Sequence, residues 1–331
     1  MLSRREWMIQ MVLSGAFIYA GSRMDEKKCR LGLIGVPTNS SGRPDGVAKA
    51  PSVLREAGLA EKLRRHFDLK DYGELQFKTP SPTRDPKSGI IAPESAASMI
   101  STVAEAVSDA LKTSHFPIVL GGDCPVLLGA LQGAKETHPS LGLLFIDGHE
   151  DAYAPHESPT GELADMELGL ALGRSLKNVP GGIASLPPLI DSLNVVILGA
   201  RDADVIRKDG SHSLRGPVEV HSASEIVREN LIVVTKQAIA KISRGMKDFW
   251  LHVDLDVLSS MALSAVDYPQ PGGLNWEQLR EICKTATASP SLAGIDITIY
   301  NPDLDPGHRQ AARIVDFITE IVGVLCQRGG G

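Results

Sequence analysis

The run Leu141-Gly-Leu-Leu-Phe-Ile-Asp147-Gly-His149-Glu-Asp151 ends in three potential metal ligands at alternate positions. An apolar stretch without helical period reads as a buried parallel strand, and extended backbone puts residues i, i+2 and i+4 on one face. If that geometry persists, Asp147, His149 and Asp151 converge on one point. Two distant runs end in the same way: Phe116-Pro-Ile-Val-Leu-Gly-Gly-Asp123-Cys124, and Phe249-Trp-Leu-His-Val-Asp254-Leu-Asp256. Open parallel sheets gather ligands outside the carboxyl ends of their strands, so the three ends can meet. Their union is Cys124, Asp147, His149, Asp151, Asp254 and Asp256. Six donors exceed what one hard cation usually takes from a protein, and carboxylates can bridge, so the pattern predicts two divalent ions.

Order and spacing of these motifs resemble the ureohydrolase (arginase and agmatinase) family, whose three motifs are Gly-Gly-Asp-His, Asp-x-His-x-Asp and Ser-x-Asp-x-Asp. Here they read Gly121-Gly-Asp-Cys124, Asp147-Gly-His-Glu-Asp151 and His252-Val-Asp254-Leu-Asp256. Lesser matches at Gly46 to Arg55, Leu198 to Asp204, Pro271 to Leu274 and Gly294 to Pro302 extend the resemblance from Cys29 to Val324. It implies a three-layer α/β/α domain with a central, mostly parallel eight-stranded sheet, assembled as a homotrimer or homohexamer. It further implies two manganese ions sharing a hydroxide that attacks a guanidinium or amidine carbon. By the family pattern Asp147 and Asp254 bridge, Cys124 and Asp151 complete one metal site, and His149 and Asp256 complete the other. Asp151 and His149 are also the catalytic candidates. The expected function is hydrolysis of a C–N bond in a small linear guanidine or amidine, a modified arginine included. The alternative is a non-catalytic family member that keeps its metals and binds a ligand or partner.

Three departures from the family bear on its expected chemistry. Cys124 stands where the family has histidine; a thiolate adds a fifth negative charge to four carboxylates, weakens the Lewis acid and brings zinc or iron into competition with manganese. A nucleophilic role for Cys124 needs a base, and only His149 is on offer. Where arginases carry a proton-shuttling histidine this chain has Ala164, with His156, Glu162 and Asp165 nearby. Ile299 occupies the place of the family's guanidinium-pairing glutamate, and an unpaired buried cation costs roughly several kcal/mol. Asp204 falls where arginases hold the substrate's α-amino group, so Asp204, Thr160 and Glu162 are the substrate-side candidates.

Strand and helix must alternate to position these ends. Strands are read at 29–36, 116–120, 141–146, 195–200, 249–254 and 292–300. Helices are read from Ala50, over 92–112, from Pro125, near Leu163 to Leu176, in the second half of 223–242, from Asn275 as cap with Gln278 three residues on, and over 309–326. Residues 66–92 read as strand fragments and loop. Right-handed crossovers then give a parallel sheet covered on both faces.

With 331 residues, 43% apolar and 22% charged, the chain can bury a large core. A net charge of −6 offers no basic surface for nucleic acid. The four cysteines, Cys29, Cys124, Cys283 and Cys326, form no Cys-x-x-Cys pair and suggest no disulfide framework; Cys29 and Cys283 read as core residues. Residues 1–28 read as an N-terminal extension before a domain over 29–326. Ser3-Arg-Arg-Glu-Trp-Met8 and the apolar stretch to Ala20 resemble a twin-arginine export signal, although the stretch holds Gln10 and Ser14 and is too short to span a membrane. The alternatives, an extra helix or a mis-chosen start, go with a cytoplasmic protein without stable membrane insertion.

Overall fold

Alternate residues of the run 141–146 take opposite sides of a sheet: Leu143 and Phe145 pack into one apolar cluster, Leu144 and Ile146 into another. This computed structural model describes residues 29–329 apart from 175–178, 180, 185, 187 and 246. The possible export signal lies outside the described residues.

Eight strands form one sheet: β1 (Arg30–Val36), β2 (Asp68–Glu74), β3 (Phe116–Gly121), β4 (Leu141–Ile146), β5 (Val195–Gly199), β6 (Glu219–Ser222), β7 (Asp248–Asp254) and β8 (Leu292–Thr298). Their order is β2-β1-β3-β8-β7-β4-β5-β6, and every pairing is parallel. One face is covered by the helices Ala50–Glu56, Leu59–His66, Leu231–Ile242, Trp276–Thr287 and Arg309–Gly323; Pro93–Lys112 and Val126–Lys135 cover the other. Parallel strands sandwiched in this way are apolar on both sides, which is why the six interior strands are readable as continuous apolar runs. The two strands not read as full strands are the sheet's edges: β2 falls within the strand fragments read over 66–92, and β6 is not read. Half-exposed residues such as Lys70, Asp71 and Glu219 dilute their pattern.

Sequence caps set several boundaries. Asn275 and Gln278 form the expected capping box. A second box, Ser222 with Glu225, starts a helix at Ala223–Glu229, so 223–242 is helical in both halves rather than only the second. The helix expected near Leu163 to Leu176 is broken into a 3-10 turn, Leu163–Asp165, and a short helix, Glu167–Ala171. Met166 at φ −140° separates them, and Gly173 at φ 75° follows; residues 175 and 176 lie outside the described residues.

Cys283 is buried as expected, but Cys29 is not a core thiol. A disulfide joins it to Cys326, with Cα atoms 5.6 Å apart. The pairing was invisible in sequence because 297 positions separate the two residues and only sheet and closing helix bring them together. No described helix is long and apolar enough to cross a membrane.

Candidate metal centre

The central strands β3, β8, β7 and β4 are neighbours, so their carboxyl ends deliver the three motifs to one place. At the end of β3, Gly122 N donates to Val36 O, and a Cβ on Gly122 would fall 2.0 Å from Thr38 O, so only glycine fits. Asp123 then clamps the loop, its two oxygens accepting Ser40 N at 2.6 Å and Cys124 N at 3.0 Å. Cys124 is thereby turned inward: its Sγ lies 2.7 Å from Asp254 Oδ2 and 3.1 Å from Thr298 Oγ1.

At the end of β4 the expected extended geometry does not persist. Strand pairing stops at Ile146, Asp147 Oδ1 accepts His149 N at 2.7 Å in a tight turn, and Asp151 takes φ 41°. Convergence comes from this turn rather than from strand alternation. The turn is tied to β7, because Gly148 N donates to Asp256 Oδ1 at 3.1 Å. At the end of β7, Asp254 Oδ1 accepts Asp256 N at 2.6 Å. His149 Nδ1 lies 3.0 Å from Asp256 Oδ2 and 3.6 Å from Asp147 Oδ1.

Cys124, His149, Asp151, Asp254 and Asp256 open onto a cleft of about 180 Å³, behind which Asp147 is fully buried. Thr160, Glu162 and the two departures, Ala164 and Ile299, line its wall. Ile299 has φ 68°, a left-handed conformation that a β-branched residue rarely adopts, and its N–H donates to Gly122 O at 2.9 Å. Two sequence candidates are not brought to this cleft. Asp204 has a 90% exposed side chain paired with Arg207, while Asp202, two residues earlier, lines the wall. His156 is 76% exposed beside Glu157. Asp165 lines the cleft, but one of its oxygens is taken by Ser158 and Thr160.

Two buried residues were not among the donors read from the sequence. His252 sits on β7 two residues before Asp254, hence on the same face, and was absorbed into an apolar run. Glu167 is a single carboxylate in an apolar stretch, fully buried beside Cys124, Asp147 and His252. The alternation at 252, 254 and 256 was the signal for the first, and a lone acid among leucines for the second.

The buried acids of the centre outnumber the basic groups beside them, which are His149, His252 and the Arg201 guanidinium that donates to Asp256 O. Burial pushes Cys124 up first, and Asp254, Glu167 and Asp147 add to it. Asp151 and Asp254 are likewise raised by burial and then by neighbouring acids. Asp147 is the exception: burial pushes it up, yet the His149 and His252 imidazoles hold it well below the usual carboxylate range. Asp147 Oδ2 still lacks a hydrogen-bond partner. Buried acids this close together need compensating cations, so the donor set fits a divalent metal centre.

Fold and donor set define an α/β/α protein built around an acidic, metal-competent centre at the sheet's carboxyl edge. The sequence model of the Arginase family matches residues 29–323, and the chain belongs to that family. Human Arginase-1 is 28% identical over 299 residues, covering 88% of this chain and 91% of its own. The structure of arginase from Bacillus caldovelox superposes with a TM-score of 0.78 at 25% identity, covering 89% of this chain and 98% of that one. Formimidoylglutamase from Bacillus subtilis shares the fold, with a TM-score of 0.71 at 19% identity over 91% of this chain and 89% of its own.

Proposed function

We propose that this protein is a metal-dependent hydrolase that cleaves a C–N bond of a small linear guanidine or amidine. The observation that carries the reading is the gathering of Cys124, His149, Asp151, Asp254 and Asp256 at a cleft of about 180 Å³, with Asp147 buried behind them. Family membership supports it, since human Arginase-1 and the Bacillus caldovelox arginase match nearly full length. These six residues would hold two divalent cations, manganese by family habit, with zinc or iron favoured by the Cys124 sulfur. When bound, the cations supply Lewis acidity that lets water act as a nucleophile near neutral pH.

The reaction adds water across the central carbon and breaks its bond to the amine, which leaves with a proton. Glu162 is suited to carry that proton in place of the missing histidine. It lines the cleft, and burial first, then Asp123, Asp165 and Asp267, push its carboxyl up to about 7. His149 and Asp151, facing the same cleft, are the remaining candidates for proton handling there.

Ile299 in the wall removes the carboxylate that would pair with a guanidinium, which argues for a substrate less dependent on that pairing than arginine itself. The test is urea or ammonia release from a panel of guanidines, amidines and N-hydroxylated arginine with defined added metals. Absence of turnover with every metal, alongside stoichiometric binding, selects the second reading: a non-catalytic member that binds a ligand, favoured by the side chains at Ala164 and Ile299. We place the protein in a homotrimer or homohexamer, readable from its mass in solution.

A further inference from the structure

Buried donor atoms with no part in the six-residue set converge behind Asp147. His252 is 0% exposed and stacks on Phe145, ring centroids 4.5 Å apart. Its Nδ1 lies 2.5 Å from Asp296 Oδ2, and Asp296 Oδ1 accepts Trp250 Nε1 at 2.5 Å. The carboxylate thus fixes the Nδ1 proton and aims Nε2 at Asp147 Oδ2, 3.6 Å away, where an arriving cation would displace the proton that Nε2 carries in its absence. A carboxylate behind one imidazole nitrogen is the usual partner of a histidine whose other nitrogen binds metal. Neither Nε2, nor Asp147 Oδ2, nor either oxygen of Glu167 has a hydrogen-bond partner in another residue. Glu167 is also 0% exposed, held in place because the Leu168 and Gly169 N–H groups donate to Asp151 O.

We propose that Cys124, Asp147, Glu167 and His252 form a four-donor site for a zinc-type divalent cation, with Asp147 shared between it and the cluster of His149 and Asp256. Their donor atoms all lie within 4.8 Å of one another, as do those of Asp147, His149 and Asp256. A tetrahedral zinc ion with ligands at about 2.0–2.3 Å separates its donors by roughly 3.3–3.8 Å, so the widest pairs would draw in by up to about 1–1.5 Å. One thiolate, one imidazole and two carboxylates suit zinc better than manganese. The arrangement also accounts for two departures at once: the first motif's histidine is replaced by Cys124, and a histidine appears at 252, where the third motif has serine. Glu167 then has a partner, where an isolated buried carboxylate has none.

The inference rests on the metal-centre reading for Cys124 and Asp147, and it is tested by binding rather than turnover. Metal content by mass spectrometry and the thiolate-to-cobalt charge-transfer band of the cobalt(II)-loaded protein are measured for wild type, Glu167→Gln, His252→Gln and His149→Ala. Glu167→Gln keeps size and shape, so it reads binding even if His252→Gln fails to fold. The expected result is that Glu167→Gln and His252→Gln each weaken one ion by at least about 100-fold and alter the band, while His149→Ala weakens the other ion and leaves the band in place. Unchanged affinity and band in folded Glu167→Gln overturn the proposal while leaving the six-residue reading intact. One ion lost with Glu167→Gln and unaffected by His149→Ala supports the site while removing the dinuclear hydrolase reading. A wild-type protein that takes up no zinc or cobalt overturns it too, and makes His252 a buried charge partner of Asp147.

Discussion

Cys124 Sγ donates a 2.7 Å hydrogen bond to Asp254 Oδ2, joining the carboxyl ends of β3 and β7, the two strands that flank β8. The thiol therefore faces the acids, although only 1% of the residue is exposed and it also packs within the apolar cluster. Replacing it tests what the sulfur contributes. Cys124→His should shift metal preference from zinc or iron toward manganese, measured by competitive loading, because a neutral nitrogen replaces a soft anion. The larger ring should cost about 1–3 kcal/mol of stability in this packed site. Unchanged preference would make Cys124 a bystander.

Asp147 touches both donor groups, with Oδ1 near His149 and Oδ2 near His252. Asp147→Ala should therefore abolish binding of both ions, and Asp254→Ala should do the same if it bridges. Asp256→Ala should chiefly weaken the ion near His149. Metal stoichiometry of the three purified variants decides the matter, and equal partial loss in all three contradicts the assignment.

Glu162 has its carboxyl raised from 4.5 to about 7. Between those values the folded protein holds a proton that the unfolded chain releases, so stability falls as pH rises through this window. Glu162→Gln removes that penalty. It should melt above wild type at pH 8, by about 1–2 kcal/mol once partial exposure is discounted, and equal to it at pH 4. It should also lose any pH–rate limb near neutrality. A variant that melts lower at pH 8 contradicts the argument.

Ile299 lines the cleft in a strained conformation. If its side chain is what disfavours arginine, Ile299→Glu should raise affinity for arginine relative to uncharged amidines, by roughly ten-fold or more for one restored charge pair. Calorimetric titration with arginine reads this directly, and unchanged selectivity would locate specificity elsewhere on the wall.

The disulfide between Cys29 and Cys326 ties β1 to the chain's closing segment. Reduction should lower stability by about 2–4 kcal/mol, visible as a lower Tm with dithiothreitol. A Cys29→Ser, Cys326→Ser double variant should match the reduced protein and be insensitive to reductant.

The sequence by itself determined the interior of the sheet and the three ligand-bearing ends, because buried parallel strands must be apolar on both faces and such a run ending in acids is a local signal. The cap at Asn275 was equally legible, since its hydrogen bonds span only three residues. The edge strands were less so, β2 showing only as fragments within 66–92 and β6 not at all, because pairing on one side leaves them a mixed surface with no period of their own. Only the tertiary structure decided which donors share a point. The turn at 147–151, the break at Met166 that swings Glu167 beneath Asp147, and the ring of His252 held by Asp296 all depend on contacts between residues distant in the chain. For the same reason Asp204, plausible by position, ended in solvent with Arg207: a helix turn pointed it away, and one-dimensional spacing carries no information about which side of a loop faces the cleft.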